Sequence, residues 1–210
     1  MSNIKVLVAI VYDDRDGRTT EQAQAVAIGA SSHPQANSLL ISVDEIDCHW
    51  DTLEDSDAII FGCPTCMGSA SGPFKTFMDA SASRAFDQSK WRDKVAAGFT
   101  HASARSGHTL NTLVQLWIFA AQQGMHWVNL GPLPCHDGSS TRDASVCLHS
   151  DFLGVAAPET PRADVDAEID VNADTTPVRP SEWVASEHLG RRVARVAYQL
   201  ATGRALGDGL

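Results

Sequence analysis

The chain alternates short, largely apolar segments with longer segments in which apolar residues recur at helical spacing. The stretch "IKVLVAIV" (residues 4–11) is apolar and β-branched apart from Lys5, a composition typical of a strand buried on both faces. Further strand-like segments follow at residues 37–43, 57–62, 94–101 and 125–131. The pattern therefore predicts five strands.

Helical signals separate these strands. Thr19 and Thr20 are N-cap candidates before a run of good helix formers, and Pro73 fits the first turn of a helix over 72–81. Another helix, with Gly124 as its left-handed C-cap, is predicted by residues spaced i, i+3, i+4, i+7, i+8 and i+11: Leu110, Leu113, Val114, Trp117, Ile118 and Ala121. A final helix begins at residue 181 and ends before Gly203, and it directs four residues inward: Leu189, Val193, Val196 and Leu200.

Strands that alternate with helices indicate parallel βαβ units with right-handed crossovers. We therefore expect an α/β fold, a three-layer sandwich formed by a single domain over residues 1–210. Residues 132–180 are rich in Pro, Asp, Ser and Thr without clear periodicity, and they are predicted to form an irregular excursion.

The charge and the hydropathy of the chain restrict its partners. A formal net charge of −10 and an isoelectric point near 5.1 argue against binding to nucleic acid or to an anionic membrane. No segment approaches the roughly 20 apolar residues of a membrane span, and the N-terminus lacks the pattern of a signal peptide. We expect a cytoplasmic protein that binds small molecules.

In a parallel sheet with strand order 2-1-3-4-5, a ligand lies beyond the carboxyl ends of strands 1 and 3. Three loops would then form the site, at residues 12–19, 62–71 and 100–107. The first loop leads into a helix N-terminus, where free N–H groups favour an anion, and Gly17 lets the backbone approach a phosphate. The alternative for this loop is a solvated, charged turn without a ligand.

The second loop, "GCPTCMGSASGP", permits three interpretations. Cys63 and Cys66 have the spacing of a redox dithiol or of half a zinc site. The next helix, however, begins well beyond Cys66, and no paired ligand motif completes a zinc site. A loop that presents backbone N–H groups and the edges of Thr65, Cys66 and Met67 to a planar ring is the preferred interpretation, with no metal bound. In the third loop, small residues after a strand permit contact with a flat ligand, and His101 is either a polar loop residue or an acid–base group.

The stretch "DAIIFGCPTCMGSASGPFKTFMD" resembles part of the flavodoxin-like NAD(P)H:quinone oxidoreductases, namely their strand 3, their P-T-x-x-G flavin loop and the helix that follows it. This family is related to the tryptophan-repressor-binding protein and to the NADPH-dependent FMN reductases. The resemblance continues through "KVAAGFT" and "WIFAAQQGMHWVNLG". It covers most of residues 4–131 and the last helix, and it implies a flavodoxin-like sandwich with a five-stranded parallel sheet in order 2-1-3-4-5.

The resemblance implies FMN as the cofactor and NAD(P)H as co-substrate. The residues implied at the FMN phosphate are Asp14, Arg15, Asp16, Gly17, Arg18 and Thr19. Those beside the flavin ring are Pro64, Thr65, Cys66, Met67 and Gly68. Those at its far edge are Thr100, His101, Ala102, Ser103 and Gly107. Gln123 matches a position that approaches the flavin of a neighbouring subunit, and Phe86 matches an aromatic residue that covers the open face of the ring and meets the substrate.

The implied reaction passes two electrons from NAD(P)H to a quinone or similar small acceptor by a ping-pong mechanism, with no catalytic side chain. The implied assembly is a homo-oligomer, either a dimer or a tetramer. Asp14 stands where the family has Ser or Thr, and the long family insertion between strands 2 and 3 is missing. Two alternatives remain: a flavodoxin-like electron-transfer or flavin-binding protein without NAD(P)H turnover, and a flavin-free protein that uses the Cys63/Cys66 dithiol.

Overall fold

The computed structural model of the chain describes residues 4–102, 108–131, 153–157 and 180–207. The strands are β1 (Val6–Tyr12), β2 (Ala36–Ser42), β3 (Ala58–Cys66), β4 (Ser69–Ala70), β5 (Val95–Ala102), β6 (His126–Trp127) and β7 (Val155–Ala157). The helices are α1 (Arg18–Ser31), α2 (Trp50–Asp55), α3 (Gly72–Ser81), α4 (Thr109–Gln122) and α5 (Pro180–Gly207). A 3₁₀ helix (Val43–Cys48) precedes α2, and a π-helical turn (Ala82–Phe86) follows α3.

One sheet organises these elements, in the order β2-β1-β3-β5-β6. These five strands pair in parallel, and the short β4 folds back antiparallel onto the end of β3. The predicted order 2-1-3-4-5 is therefore confirmed. Helices α1 and α5 pack on one face of the sheet, and α3 and α4 pack on the other.

The fifth position of the sheet differs from the prediction of one continuous strand over 125–131. Only His126–Trp127 form a strand, which pairs with the beginning of β5. The end of β5 instead pairs with β7, through the register Phe99↔Val155. Strand β7 belongs to the stretch predicted to be irregular, and residues 132–152 and 158–179 lie outside the described part of the chain.

The core is divided by the sheet into two apolar layers. Along β1, Val8 and Ile10 face α1 and α5, whereas Ala9 and Val11 face the opposite layer. This explains why β1 is apolar at every position rather than at alternate ones. The opposite layer is dominated by aromatic rings in mutual contact: Phe61, Phe74, Phe77, Trp91 and Phe119.

Helix α4 buries a different face from the one that the apolar spacing indicates. Leu113 is buried as expected, together with Thr112, Leu116, Phe119 and Ala120. Leu110, Trp117 and Ile118 are instead 44–48% exposed. Apolar residues cover more than one stripe of this helix, and only one stripe fits against the sheet. Gly124 does end the helix in a left-handed conformation, at φ 74°.

Helices α1 and α5 approach each other closely through two glycines. A Cβ atom built on Gly190 would lie 1.9 Å from the carbonyl oxygen of Val26, and one built on Gly29 would lie 1.9 Å from that of Glu187. Contacts this short exclude any side chain. The backbones of the two helices therefore touch, and this contact fixes α5 over β1 and β5. None of the helices in the described ranges combines the length and apolar composition that crossing a bilayer requires.

Candidate functional site

The strands β1, β3 and β5 end together, and we call this side of the sheet the carboxyl edge. The backbone N–H of Asp13 donates to the carbonyl of Gly62 (3.0 Å), and Pro64 lies in register with His101. The loop after β1, the end of β3 and the end of β5 are thus neighbours, as the parallel topology predicts. Of the third loop, Thr100, His101 and Ala102 are described; Ser103 and Gly107 lie outside the described residues.

The loop between β1 and α1 is organised by its own carboxylates. Gly17 occupies the N-cap position with φ 88°, a left-handed conformation that favours glycine. Asp14 Oδ1 accepts hydrogen bonds from the backbone N–H of Gly17 (3.0 Å) and Asp16 (3.4 Å), and its Oδ2 accepts the hydroxyl of Thr20. Asp16 Oδ1 accepts the N–H of Arg18 (3.1 Å). Asp14 therefore occupies part of the anion site that the helix N-terminus creates.

The two arginines of this loop are directed elsewhere. Arg15 Nη1 donates to Cys66 Sγ (3.4 Å), so it joins the first and second loops. Arg18 Nη2 lies 3.2 Å from Glu182 Oε2, and both side chains are largely buried between α1 and α5. The prediction that Arg18 faces a phosphate does not match this placement, because its charge is paired with a carboxylate from the last helix.

At the end of β5, His101 is almost fully buried against the start of α1. Its Nε2 lies 3.0 Å from Thr19 Oγ1 and 3.7 Å from Asp16 Oδ1. Burial lowers the pKa of His101, and the nearby Asp16 carboxylate opposes this shift only in part. The imidazole is therefore predominantly neutral near pH 7, and its Nδ1 has no hydrogen-bond partner within the described ranges of the chain.

The end of β3 contributes mainly backbone to the carboxyl edge. The hydroxyl of Thr65 is buried and lies 2.9 Å from both Thr100 Oγ1 and Thr112 Oγ1, so it joins β3 to β5 and α4. The predicted contact of its side chain with a ring does not match this orientation. Cys66 is partly exposed, and Met67, with a positive φ of 52°, is 93% exposed at the turn into β4. Met67 and Gly68 thus form the projecting rim of the site.

The geometry of Cys63 and Cys66 disfavours the dithiol interpretation. Both are free thiols within β3, and residues three apart on a strand point to opposite faces. Cys63 is fully buried, and burial strongly raises the pKa of its thiol. Among the described residues, no three His, Cys, Asp or Glu side chains lie close enough together to hold a metal ion.

Two predicted residues lie at the opposite edge of the sheet. Gln123 follows the last turn of α4 and donates from Nε2 to Ser81 Oγ (2.9 Å), and Phe86 is 51% exposed in the turn after α3. Both line one groove of about 520 Å³. Within a single chain they are therefore separated from the three loops, and a role beside flavin would require a second subunit.

Sequence reasoning missed several buried polar groups at or near the carboxyl edge. Asp13 Oδ2 and both amide atoms of Gln22 are buried, and no residue in the described part of the chain forms a hydrogen bond with them. Unpaired buried polar atoms are uncommon, and they are often satisfied by a ligand or water. Gln22 stands three residues after Thr19, on the same face of α1, and this spacing is the signal that could have found it.

Comparison with known proteins agrees with this architecture. The sequence profile for NADPH-dependent FMN reductase matches residues 43–133. The chain is 31% identical to Flavodoxin FldP of Pseudomonas aeruginosa (strain UCBPP-PA14) over 195 residues, which is 91% of this chain and 96% of that protein. It is 26% identical to an NAD(P)H dehydrogenase (quinone) of Syntrophobacter fumaroxidans, over 92% of this chain and 98% of that protein.

Among solved structures, the flavodoxin, WrbA-like protein from Agrobacterium tumefaciens superposes with a TM-score of 0.67 at 31% identity, covering 93% of this chain and 99% of that one. The strand order, the three loops at the carboxyl edge and these near full-length matches agree with one another. The chain belongs to the flavodoxin-like family that includes the NADPH-dependent FMN reductases and the NAD(P)H:quinone oxidoreductases.

Proposed function

We propose that this protein is an FMN-dependent oxidoreductase that passes two electrons from NAD(P)H to a quinone or a similar small acceptor by a ping-pong mechanism. The observation that carries the proposal is the convergence of the first turn of α1, the end of β3 and the end of β5 at one edge of the sheet. This is where α/β proteins with this strand order bind ligands.

The residues at the carboxyl edge fit FMN in two respects. The first turn of α1 offers backbone N–H groups that have no acceptor within the helix, including those of Thr19 and Thr20. His101, whose Nδ1 has no hydrogen-bond partner among the residues that the structure describes, lies beside this turn through its contact with Thr19. One feature is adverse: the carboxylate of Asp14 accepts the N–H of Gly17, so a phosphate must displace it or bind next to it.

A bound FMN would supply the redox chemistry, which is hydride transfer from the nicotinamide and two-electron transfer to the acceptor. The protein's own residues would position the cofactor. The N–H groups of the first turn would hold the phosphate, and Cys66, Met67 and Gly68 would lie along the edge of the ring. His101 stays neutral and hydrogen-bonds Thr19, so it holds the first turn of α1 in place without adding a charge.

Steady-state turnover tests this proposal. The purified protein, supplied with FMN, should oxidise NADH or NADPH in the presence of benzoquinone, and the rate should saturate with FMN. Parallel lines in double-reciprocal plots would be the mark of the ping-pong cycle. Cys66→Ser should keep most of this turnover, because the mechanism uses no thiol. A protein that binds FMN but gives no turnover with either nucleotide contradicts the oxidoreductase assignment.

The second candidate is an electron carrier without NAD(P)H turnover of its own. The similarity at 31% identity to a protein named flavodoxin favours it. A carrier would bind FMN and accept electrons from a reductase, but it would not oxidise NADH or NADPH by itself. The turnover experiment therefore separates the two candidates.

We further propose that the chain acts in the cytoplasm as a homo-oligomer. The support for oligomerisation is the exposed apolar stripe on α4, formed by Leu110, Trp117 and Ile118, since monomers rarely expose such residues together. The groove that contains Gln123 and Phe86 begins at the last turns of the same helix. A second copy covering this side would place both residues in an interface.

A further inference from the structure

A second cavity lies far from the carboxyl edge, between the turn after α1 and the middle of α5. It has a volume of about 530 Å³ and is lined by Ser32, His33, Pro34, His188, Arg191, Arg192 and Arg195. The turn that contributes Ser32 and His33 leads into the beginning of β2, at the opposite end of the sheet from Thr19. The cavity is therefore separate from the predicted flavin site.

The cavity is strongly basic within an acidic protein. The stretch "HLGRRVAR" places His188, Arg191, Arg192 and Arg195 at i, i+3, i+4 and i+7, which puts them on one stripe of α5. The chain as a whole carries a net charge of −10. Like charges at i, i+4 destabilise a helix, and Arg191 and Arg195 are such a pair. A bound anion would relieve the repulsion among these three arginines.

Hydrogen bonds to the protein hold most of these side chains in place. Arg191 Nε donates to Ser32 Oγ (3.3 Å), and its Nη2 pairs with Glu187, the carboxylate in contact with the cluster. Arg192 Nε donates to the carbonyl of Asn129 (2.8 Å), and His188 Nε2 lies 3.0 Å from the carbonyl of Leu130. These contacts orient the groups before any ligand arrives, which lowers the entropic cost of binding.

Several donors remain available inside the cavity. A guanidinium group carries five N–H donors, and only some of those on Arg191 and Arg192 are used. Arg195 makes no hydrogen bond or ion pair with any part of the chain that the structure describes. Planar guanidinium groups bind phosphate in a bidentate manner, and the cavity volume falls in the range of small-molecule sites.

We propose that this cavity binds a small molecule through one or more phosphate groups held by Arg191, Arg192 and Arg195. His33, whose ring lies 5.0 Å from that of Tyr198, forms the opposite wall together with Pro34 and gives the rest of the ligand a ring surface to contact. The site is independent of the flavin, so its occupant is a second ligand of the protein.

Calorimetric titration with ADP as the probe tests the proposal. The protein is saturated with FMN, so that the first turn of α1 is not available to the probe. The variant Arg191→Gln/Arg195→Gln should bind ADP at least tenfold more weakly than the wild type. Its matched control is Arg84→Gln/Arg92→Gln, which removes two exposed arginines elsewhere and should bind ADP as the wild type does.

A parallel titration with inorganic pyrophosphate distinguishes an organic phosphate ligand from a free polyphosphate anion. Tighter binding of ADP indicates an organic phosphate as the ligand, and equal binding indicates a free polyphosphate anion; both support the site. Absence of ADP and pyrophosphate binding to the wild type overturns the proposal. Equal ADP affinity of the wild type and the cavity variant also overturns it. An equal loss of ADP affinity in both double variants overturns it too, because it would indicate a response to net charge alone.

Discussion

At the end of β1, the carboxylate of Asp14 takes hydrogen bonds that a ligand phosphate would otherwise receive. It accepts the N–H of Gly17 and the hydroxyl of Thr20, two groups at the start of α1. The charge of Asp14 also opposes a dianion that approaches the same N–H groups. In the FMN complex that we propose, this residue would therefore set how tightly the loop holds the phosphate.

Replacing Asp14 by asparagine should strengthen FMN binding. The amide side chain would still accept the Gly17 N–H but would carry no charge, so the repulsion of the phosphate is removed. We expect the dissociation constant of FMN to fall about tenfold, or about 1.4 kcal/mol. Quenching of FMN fluorescence measures it. Asp87→Asn, at an exposed residue that follows the π-helical turn at the opposite edge of the sheet, is the control, and an unchanged constant in Asp14→Asn would show that the phosphate does not bind near this carboxylate.

His101 makes the stability of the fold depend on pH. Burial lowers the pKa of His101 in the folded protein below its value of 6.5 in the unfolded chain. At a pH between these two pKa values, the unfolded chain therefore binds more protons than the folded protein does. Its contribution to stability is therefore present above pH 6.5 and is lost as the pH falls below it, with a slope of at most about 1.4 kcal/mol per pH unit.

The variant His101→Gln, which can still hydrogen-bond Thr19, should show a shallower loss of stability below pH 6.5. Urea denaturation at several pH values between 5 and 8 gives the two slopes. Identical slopes for wild type and variant would mean that His101 takes up a proton as readily in the folded state as in the unfolded state.

At the scale of elements, the contact between α1 and α5 depends on the absence of side chains. Gly190→Ala places a methyl group against the carbonyl of Val26, and backbone atoms of a packed helix move little. We expect the free energy of unfolding to fall by about 1–3 kcal/mol or more. Gly203→Ala, in the same helix with nothing within 4 Å of the added methyl, should instead stabilise by about 0.5–1 kcal/mol.

Thermal denaturation of the two alanine variants measures this difference. Because both substitutions replace a helical glycine by alanine, the change in helix propensity cancels between them. Equal stabilities of Gly190→Ala and Gly203→Ala would mean that the helices separate at little cost, and that α5 does not depend on backbone contact with α1.

The elements also show what local pattern can and cannot predict. Apolar runs identified β1, β2, β3 and β5, alternation with helices indicated parallel pairing, and the family resemblance implied the strand order that brings the three loops together. The face of α4 was not predicted, because its apolar residues cover more than one stripe. The split of the fifth strand and the burial of Arg18 against Glu182 depend on segments far apart in sequence, which spacing within one segment does not reveal.

At the scale of the whole molecule, the exposed apolar stripe of α4 should mediate self-association. Ile118→Glu places a charge in the middle of this stripe, and we expect it to shift the assembly toward the 22.5 kDa chain. Ile28→Glu, at an isoleucine of α1 that is exposed to a similar extent, is the control and should leave the assembly unchanged. Sedimentation velocity measures the masses. A monomeric wild type, or equal dissociation in both variants, contradicts the proposed interface.

We propose that the first turn of α1 holds the phosphate of FMN at the carboxyl edge. The decisive experiment is to titrate the protein with FMN and with riboflavin, which differs only in lacking that phosphate. We expect FMN to bind at least tenfold more tightly than riboflavin, a difference of about 1.4 kcal/mol. Equal affinity for the two flavins, or no binding of either, would contradict it.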